Sequence, residues 1–301
     1  MFQSQIALMC KLNEKFKEWK NWYSEDDNSV CAQIRDMLWD SAVFNAINEA
    51  RKYATTDAQG KPELNELVHG LINRSFLKTQ SLSIRKLYDG RKDIISLRRL
   101  INDMKENKDL ITRENVLSAL ELPYDYEEAI NEGRRTNNSK MREAGIGSEY
   151  IHKNIDLLAG TDPVKRQPSD KIRDSVLNKL SEQLDKCKPI VNFVNKIVAH
   201  AATLGSRGKV PEKDLKISLA KIHKAHCRIV KIAVYIGRYL LDESTEWTNF
   251  LPSYAGSNKF EHFEKPWVRQ EDITKLENFW SRYEKRIERL SKQPERRVLR
   301  K

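Results

Sequence analysis

Little in this chain cross-links or punctuates it: 301 residues hold only 4 cysteines, 11 glycines and 9 prolines. Cys10, Cys31, Cys187 and Cys227 lie far apart with no metal-ligand spacing, so they read as buried thiols in a reducing compartment, not as a disulfide frame. Apolar runs extend for only a few residues, too short for a membrane span, and Met1-Phe2-Gln3-Ser4-Gln5 lacks the basic-then-apolar order of a secretory leader. The expected setting is the cytoplasm, with no membrane partner. Also missing are a P-loop, a glycine-rich dinucleotide fingerprint, a Gly-x-Ser-x-Gly elbow, a His-Glu-x-x-His pair and any alternation of strands with helices. These absences remove nucleotide-cofactor enzymes, serine hydrolases and zinc proteases, and no cofactor is expected. His223, His226 and Cys227 come nearest to a metal set. At helical spacing, however, His226 points into an apolar face, His223 stands apart from it, and no second ligand pair follows, so no metal is expected either.

What the chain does have is helical periodicity along most of its length. Ile6, Leu8, Met9, Leu12, Phe16, Trp19 and Tyr23 space out a first helix. Asp26-Asp27-Asn28-Ser29 is a turn and cap before a second helix over 30–54. Further helices are expected over 63–88, 93–105 and 113–120, the last capped by Thr112. From Leu122 to Gln167 the pattern weakens, and Gly133, Gly145, Gly147 and Gly160 suggest a loose connection with short helices over 125–142 and 148–158. Helical signal returns at Pro168 and runs through 171–204, split or kinked at Pro189, then through 212–241 and 270–291. The expected architecture is all-α: an N-terminal helical region (1–121), a connection (122–167), and a C-terminal antiparallel bundle (168–301) that includes an irregular aromatic segment and a basic tail.

Pattern and chemistry meet in Pro189–Leu204. On a helical wheel, Ile190, Val194, Ile197 and Ala201 fall within about 40° of one another, opposite a polar stripe of Asn192, Asn195, Lys196 and Thr203 with His200 at its edge. The stretch Val194-Asn195-Lys196-Ile197-Val198-Ala199-His200 resembles the signature helix of the HEPN superfamily, in particular its AbiU-like, abortive-infection branch. Ser83-Ile84-Arg85-Lys86-Leu87-Tyr88-Asp89 and Ile95-Ser96-Leu97-Arg98-Arg99-Leu100-Ile101 resemble the first helical half of such proteins. Nuclease members of that superfamily are dimers that join an arginine and a histidine at the RNA backbone without metal. The resemblance therefore implies a prokaryotic defence or toxin-antitoxin protein, a homodimer acting on RNA, with an antitoxin or regulatory partner. It also implies His200 as the proton-transfer group, Lys196 as a phosphate contact and Asn195 as an orienting group.

This sequence departs from the motif in one place, because Val194 stands where the family carries arginine. That departure opens a second expectation, a catalytically silent module binding RNA or protein, and a third, an unrelated helical scaffold in which His200 only packs. The sequence leaves open whether another arginine, such as Arg85 or Arg98, takes the missing one's place.

Charge adds one more candidate. Of the net charge of +11, residues 281–301 supply +6, from nine Lys or Arg against three Glu, so most of the chain is nearly balanced. Within the helix expected over 212–241, Lys221, Lys224, Arg228 and Lys231 recur at intervals of three and four and form one outer strip. Such a row displaces counterions from an RNA backbone, though a solvated helix face would have the same pattern.

Overall fold

The computed structural model describes residues 2–54, 66–198, 216–243 and 270–291, with Thr56, residues 58–60 and Pro211 between them. Eleven α-helices and no strand occur among these residues, so the protein is a multi-helix all-α fold. Among the described residues, sheet-like pairing is limited to isolated bridges such as that between Thr112 and Lys171.

Local chemistry sets most helix starts. Ser29 opens α2 (Val30–Ala50) by accepting from the Ala32 N–H, and Ser96 opens α4 (Leu97–Glu106) by accepting from that of Arg99. Thr112 caps α5 (Arg113–Ala119) through the Asn115 N–H, as its position predicts. Between them, α3 spans Glu66–Tyr88, and α1 spans Phe2–Lys20 and continues into a π-helical turn, Asn21–Glu25. One apolar core runs without a break from Leu12 of α1 to Ile287 of the last helix, through every helix in between except α6. Polar anchors cross it over long stretches of chain. The Trp19 indole donates to Asp103 at 2.9 Å, and the Tyr23 hydroxyl donates to the Ala233 carbonyl at 3.0 Å.

The stretch expected to be a loose connection with short helices over 125–142 and 148–158 holds two helices, α6 (Tyr126–Arg135) and α7 (Ser139–Ala159), packed as a tight hairpin. Its glycines are there for contact. A Cβ on Gly133 would lie 2.7 Å from the Arg142 backbone nitrogen, and one on Gly145 would lie 2.7 Å from Ile130 Cγ1. Gly160, at φ +70°, ends α7 in the left-handed region.

Arg113, with no exposed surface, ties this hairpin to the rest of the fold. Its Nη2 donates to Asp156 and Asp170, both at 2.7 Å, and its Nη1 lies 3.0 Å from His152 Nδ1. Burial alone would raise the Asp156 pKa, but hydrogen bonds from Arg166 and Arg113 outweigh it and hold the carboxyl below its ordinary range. The recruitment of Asp170 also explains why the next helix starts later than residue 171, where the helical pattern was expected to resume. The backbone N–H groups of Arg113 and Glu114 bond the carbonyls of Asp170 and Pro168, which keeps that segment extended until α8 begins at Asp174.

Helix α8 (Asp174–Asp185) stops before the proline, and α9 (Lys188–Phe193) restarts with Pro189 in its first turn, where the missing N–H costs nothing. A π-helical turn, Val194–Val198, continues α9. Beyond lie α10 (Leu219–Ile236), capped by Ser218 and extended by a π-helical turn at Gly237–Leu241, and α11 (Ile273–Ser291). No helix among the described residues is long and apolar enough to cross a membrane.

Candidate nucleic-acid interface

The motif residues sit on the π-helical turn that follows α9, and this geometry changes which of them face inward. A π turn inserts about one extra residue, so the angular phase of everything after it shifts. Ile190 and Val194 are buried as the helical wheel predicts, with 3% and 0% of their surface exposed, but Ile197 is turned outward at 39%. Asn195 and Lys196 are half-buried. His200, the expected proton-transfer group, lies outside the described residues, as do Ala199 and Ala201.

Val194 has no exposed surface, so an arginine at this position would start from a buried Cβ, and its guanidinium would need a partner or a path to solvent. Burying an unpartnered charge there costs several kcal/mol, on the order expected for one ion in a protein interior.

A guanidinium reaches the same stripe from another helix. Arg85, near the C-terminal end of α3, donates from Nε to Asn195 Oδ1 at 2.7 Å. Both residues are half-buried, and the Arg85 Nη nitrogens have no hydrogen-bond partner among the described residues. The helix beneath positions them: α9 and its π turn pack on α3, so the polar stripe lies over the Arg85 turn. Arg85 also borders a groove of about 400 Å³, together with Lys86, Arg91, Asp89 and Gln33. Arg91 is ion-paired to Asp89 at 3.2 Å, which leaves Lys86 and Arg85 as the cations of that wall with no carboxylate partner among the described residues.

The other sequence candidate for the missing arginine is held elsewhere. Arg98 donates to Asp185 at 2.6 Å and stacks over the Tyr88 ring at 4.5 Å. Tyr88 donates to the same carboxylate at 2.6 Å; burial, followed by this carboxylate, pushes its phenol up to about 12. Neighbouring Arg99 lies 3.8 Å over the Trp22 ring and donates to the Ile94 carbonyl. Both arginines join helices to one another.

The cationic strip on α10 is uneven. Lys224 is exposed, whereas Lys221, Arg228 and Lys231 are half-buried, and Lys221 Nζ bonds the Lys216 carbonyl at 2.8 Å. Arg228 lies close enough to Cys187 to draw its thiol pKa down, against burial that pushes it up to about 11. His226 points into the core as its spacing predicts, and His223 Nε2 lies 3.3 Å from Cys227 Sγ. Sequence reasoning did not detect the buried Arg113 clamp, because its partners are 39, 43 and 57 residues away.

No protein-family model, curated protein or solved structure matches the chain.

Proposed function

We propose that the protein is a HEPN-like, metal-independent endoribonuclease of prokaryotic defence type, acting as a homodimer, in which Arg85 of α3 takes the part of the arginine that Val194 replaces. The observation that carries this reading is the 2.7 Å bond from Arg85 Nε to Asn195. It brings a guanidinium to the polar stripe while leaving both Nη groups to meet a phosphate as a planar fork. His200 would transfer a proton as a ribose 2′-hydroxyl attacks phosphorus to form a 2′,3′-cyclic phosphate, while the P–O5′ bond breaks and the 5′-oxygen leaves as a hydroxyl. Lys196 would add charge beside it, and Asn195 would orient Arg85. The groove edged by Arg85 and Lys86 offers a path for the adjoining RNA backbone, with Lys221, Lys224, Arg228 and Lys231 as further contacts on α10.

A second reading is supported by the burial of Val194: a silent RNA- or partner-binding module that has lost the family's own arginine position. One experiment separates the two. RNA of mixed sequence is incubated with the protein in excess chelator, beside His200→Ala, Lys196→Ala and Arg85→Gln. The nuclease reading expects cleavage that disappears with His200→Ala and falls about 10²-fold with Arg85→Gln, the usual effect of removing one donor to a developing phosphate charge. RNA retained but uncut by all four proteins establishes the silent module, and cleavage unchanged in Arg85→Gln removes Arg85 from the site.

A further inference from the structure

A second recess lies among α2, α3, α10 and α11, with a volume of about 300 Å³. None of its lining is part of the His200 stripe. Phe76 and Tyr283 form apolar walls, and Phe76 is itself braced by face-to-face stacking on Phe44 at 3.6 Å. Ser41 closes one side, where Tyr283 Oη approaches its Oγ at 3.3 Å.

Two features of this recess lack an explanation from folding alone. His226 is almost wholly buried at 2% exposure, lines the recess, and has no hydrogen-bond partner for Nε2 among the described residues. A buried polar atom without a partner costs roughly 1–3 kcal/mol unless something fills the gap. In addition, Lys224 from α10 and Arg286 from α11 both line the recess, and neither has a carboxylate within ion-pairing distance among the described residues. Both are exposed, and they stand on different helices. His223, between them in the lining, is kept neutral by burial and then by the charge of Arg286. The recess thus combines two unpaired cations, neutral imidazoles that donate without adding charge, and aromatic walls in a space of ligand size.

We infer that this recess binds a small organic phosphate, with the phosphate between Lys224 and Arg286 and its apolar body against Phe76 and Tyr283. Two cations without a carboxylate match a dianion better than a single carboxylate, and the fork of Arg286 suits phosphate oxygens. The volume and the aromatic walls call for a body larger than inorganic phosphate. The site shares Lys224 with the α10 strip proposed above to contact RNA, but its other lining residues lie outside that strip and it does not rest on the RNA reading.

Phenyl phosphate is the probe, titrated calorimetrically into the full chain at low salt, with inorganic phosphate and phenol as its two halves. Saturable binding at one site is expected, with each half at least about tenfold weaker, and with Lys224→Gln and Arg286→Gln each weakening phenyl phosphate about tenfold, as the loss of a charge-assisted contact implies. Both substitutions are at exposed positions, so the fold should survive, as a thermal melt would verify. Arg282→Gln, on the same helix but outside the recess, should bind as the parent does. Unsaturable binding, equal affinity for inorganic phosphate, or equal weakening in Arg282→Gln would overturn the assignment. So would a short RNA oligonucleotide that depends on Lys224 and Arg286 when phenyl phosphate does not bind, since that would make the two cations a backbone contact.

Discussion

At the scale of single residues, His226 has the clearest measurable consequence. Burial, and then the proximity of His223, lowers its folded-state pKa from 6.5 to about 3. Above pH 6.5 neither the folded nor the unfolded chain carries this proton. Below it the unfolded chain takes the proton while the folded chain refuses it until about pH 3, so stability falls with acidification through that window. His223, lowered to about 4, acts in the same direction. The full slope from one such group is about 1.4 kcal/mol per pH unit. Melting temperature measured between pH 7 and pH 5 is therefore expected to fall less steeply for His226→Phe than for the parent. Parallel slopes would mean that this imidazole is not held neutral. Arg85 shows how a residue's role can depend on packing alone: its helix was readable from periodicity, but its bond to Asn195 spans 110 positions and follows only from how α9 lies on α3.

At the scale of helices, the α6–α7 hairpin shows where reading and structure part company. Glycine is an ambiguous letter, since it marks loops when backbone freedom is needed and helix contacts when side-chain volume is not tolerated. Gly133 and Gly145 are of the second kind, and with so little apolar periodicity around them the sequence offered no means of telling the two apart. Alanine at either position should favour each isolated helix yet destabilise the protein by roughly 1–3 kcal/mol, because the added methyl meets backbone or a packed Ile130. Denaturant midpoints of Gly133→Ala and Gly145→Ala test this, and a stabilised variant would show that the hairpin can open to accept the methyl. By contrast, α2 and α5, with a Ser or Thr before them, were legible nearly to their first residue, whereas α4 starts four residues later than its stripe suggests, at the Ser96 cap. The motif turn was legible in composition but not in phase, since nothing in Val194–Val198 announces a π turn, and so Ile197 was assigned to the wrong face.

At the scale of the whole molecule, a continuous core and the Arg113 clamp govern how the protein comes apart. Arg113→Met would leave the half-buried Asp170 with its main partner gone, although Asp156 keeps Arg166, and the expected loss is about 3 kcal/mol. Because the apolar cluster crosses every expected boundary, thermal unfolding followed by tryptophan fluorescence and by far-ultraviolet dichroism should give coincident transitions in the parent. Separated transitions in Arg113→Met alone would identify the clamp as the joint that makes the hairpin unfold with the rest. The packing of α9 on α3 also bears on how such a chain can diversify. The polar stripe and the guanidinium that meets it are encoded 110 positions apart, and the Tyr23 bond to Ala233 spans 210. Recombination that exchanged one half of the gene for a diverged counterpart would separate both pairs at once, so an exchange that keeps them has to carry both partners of each pair together.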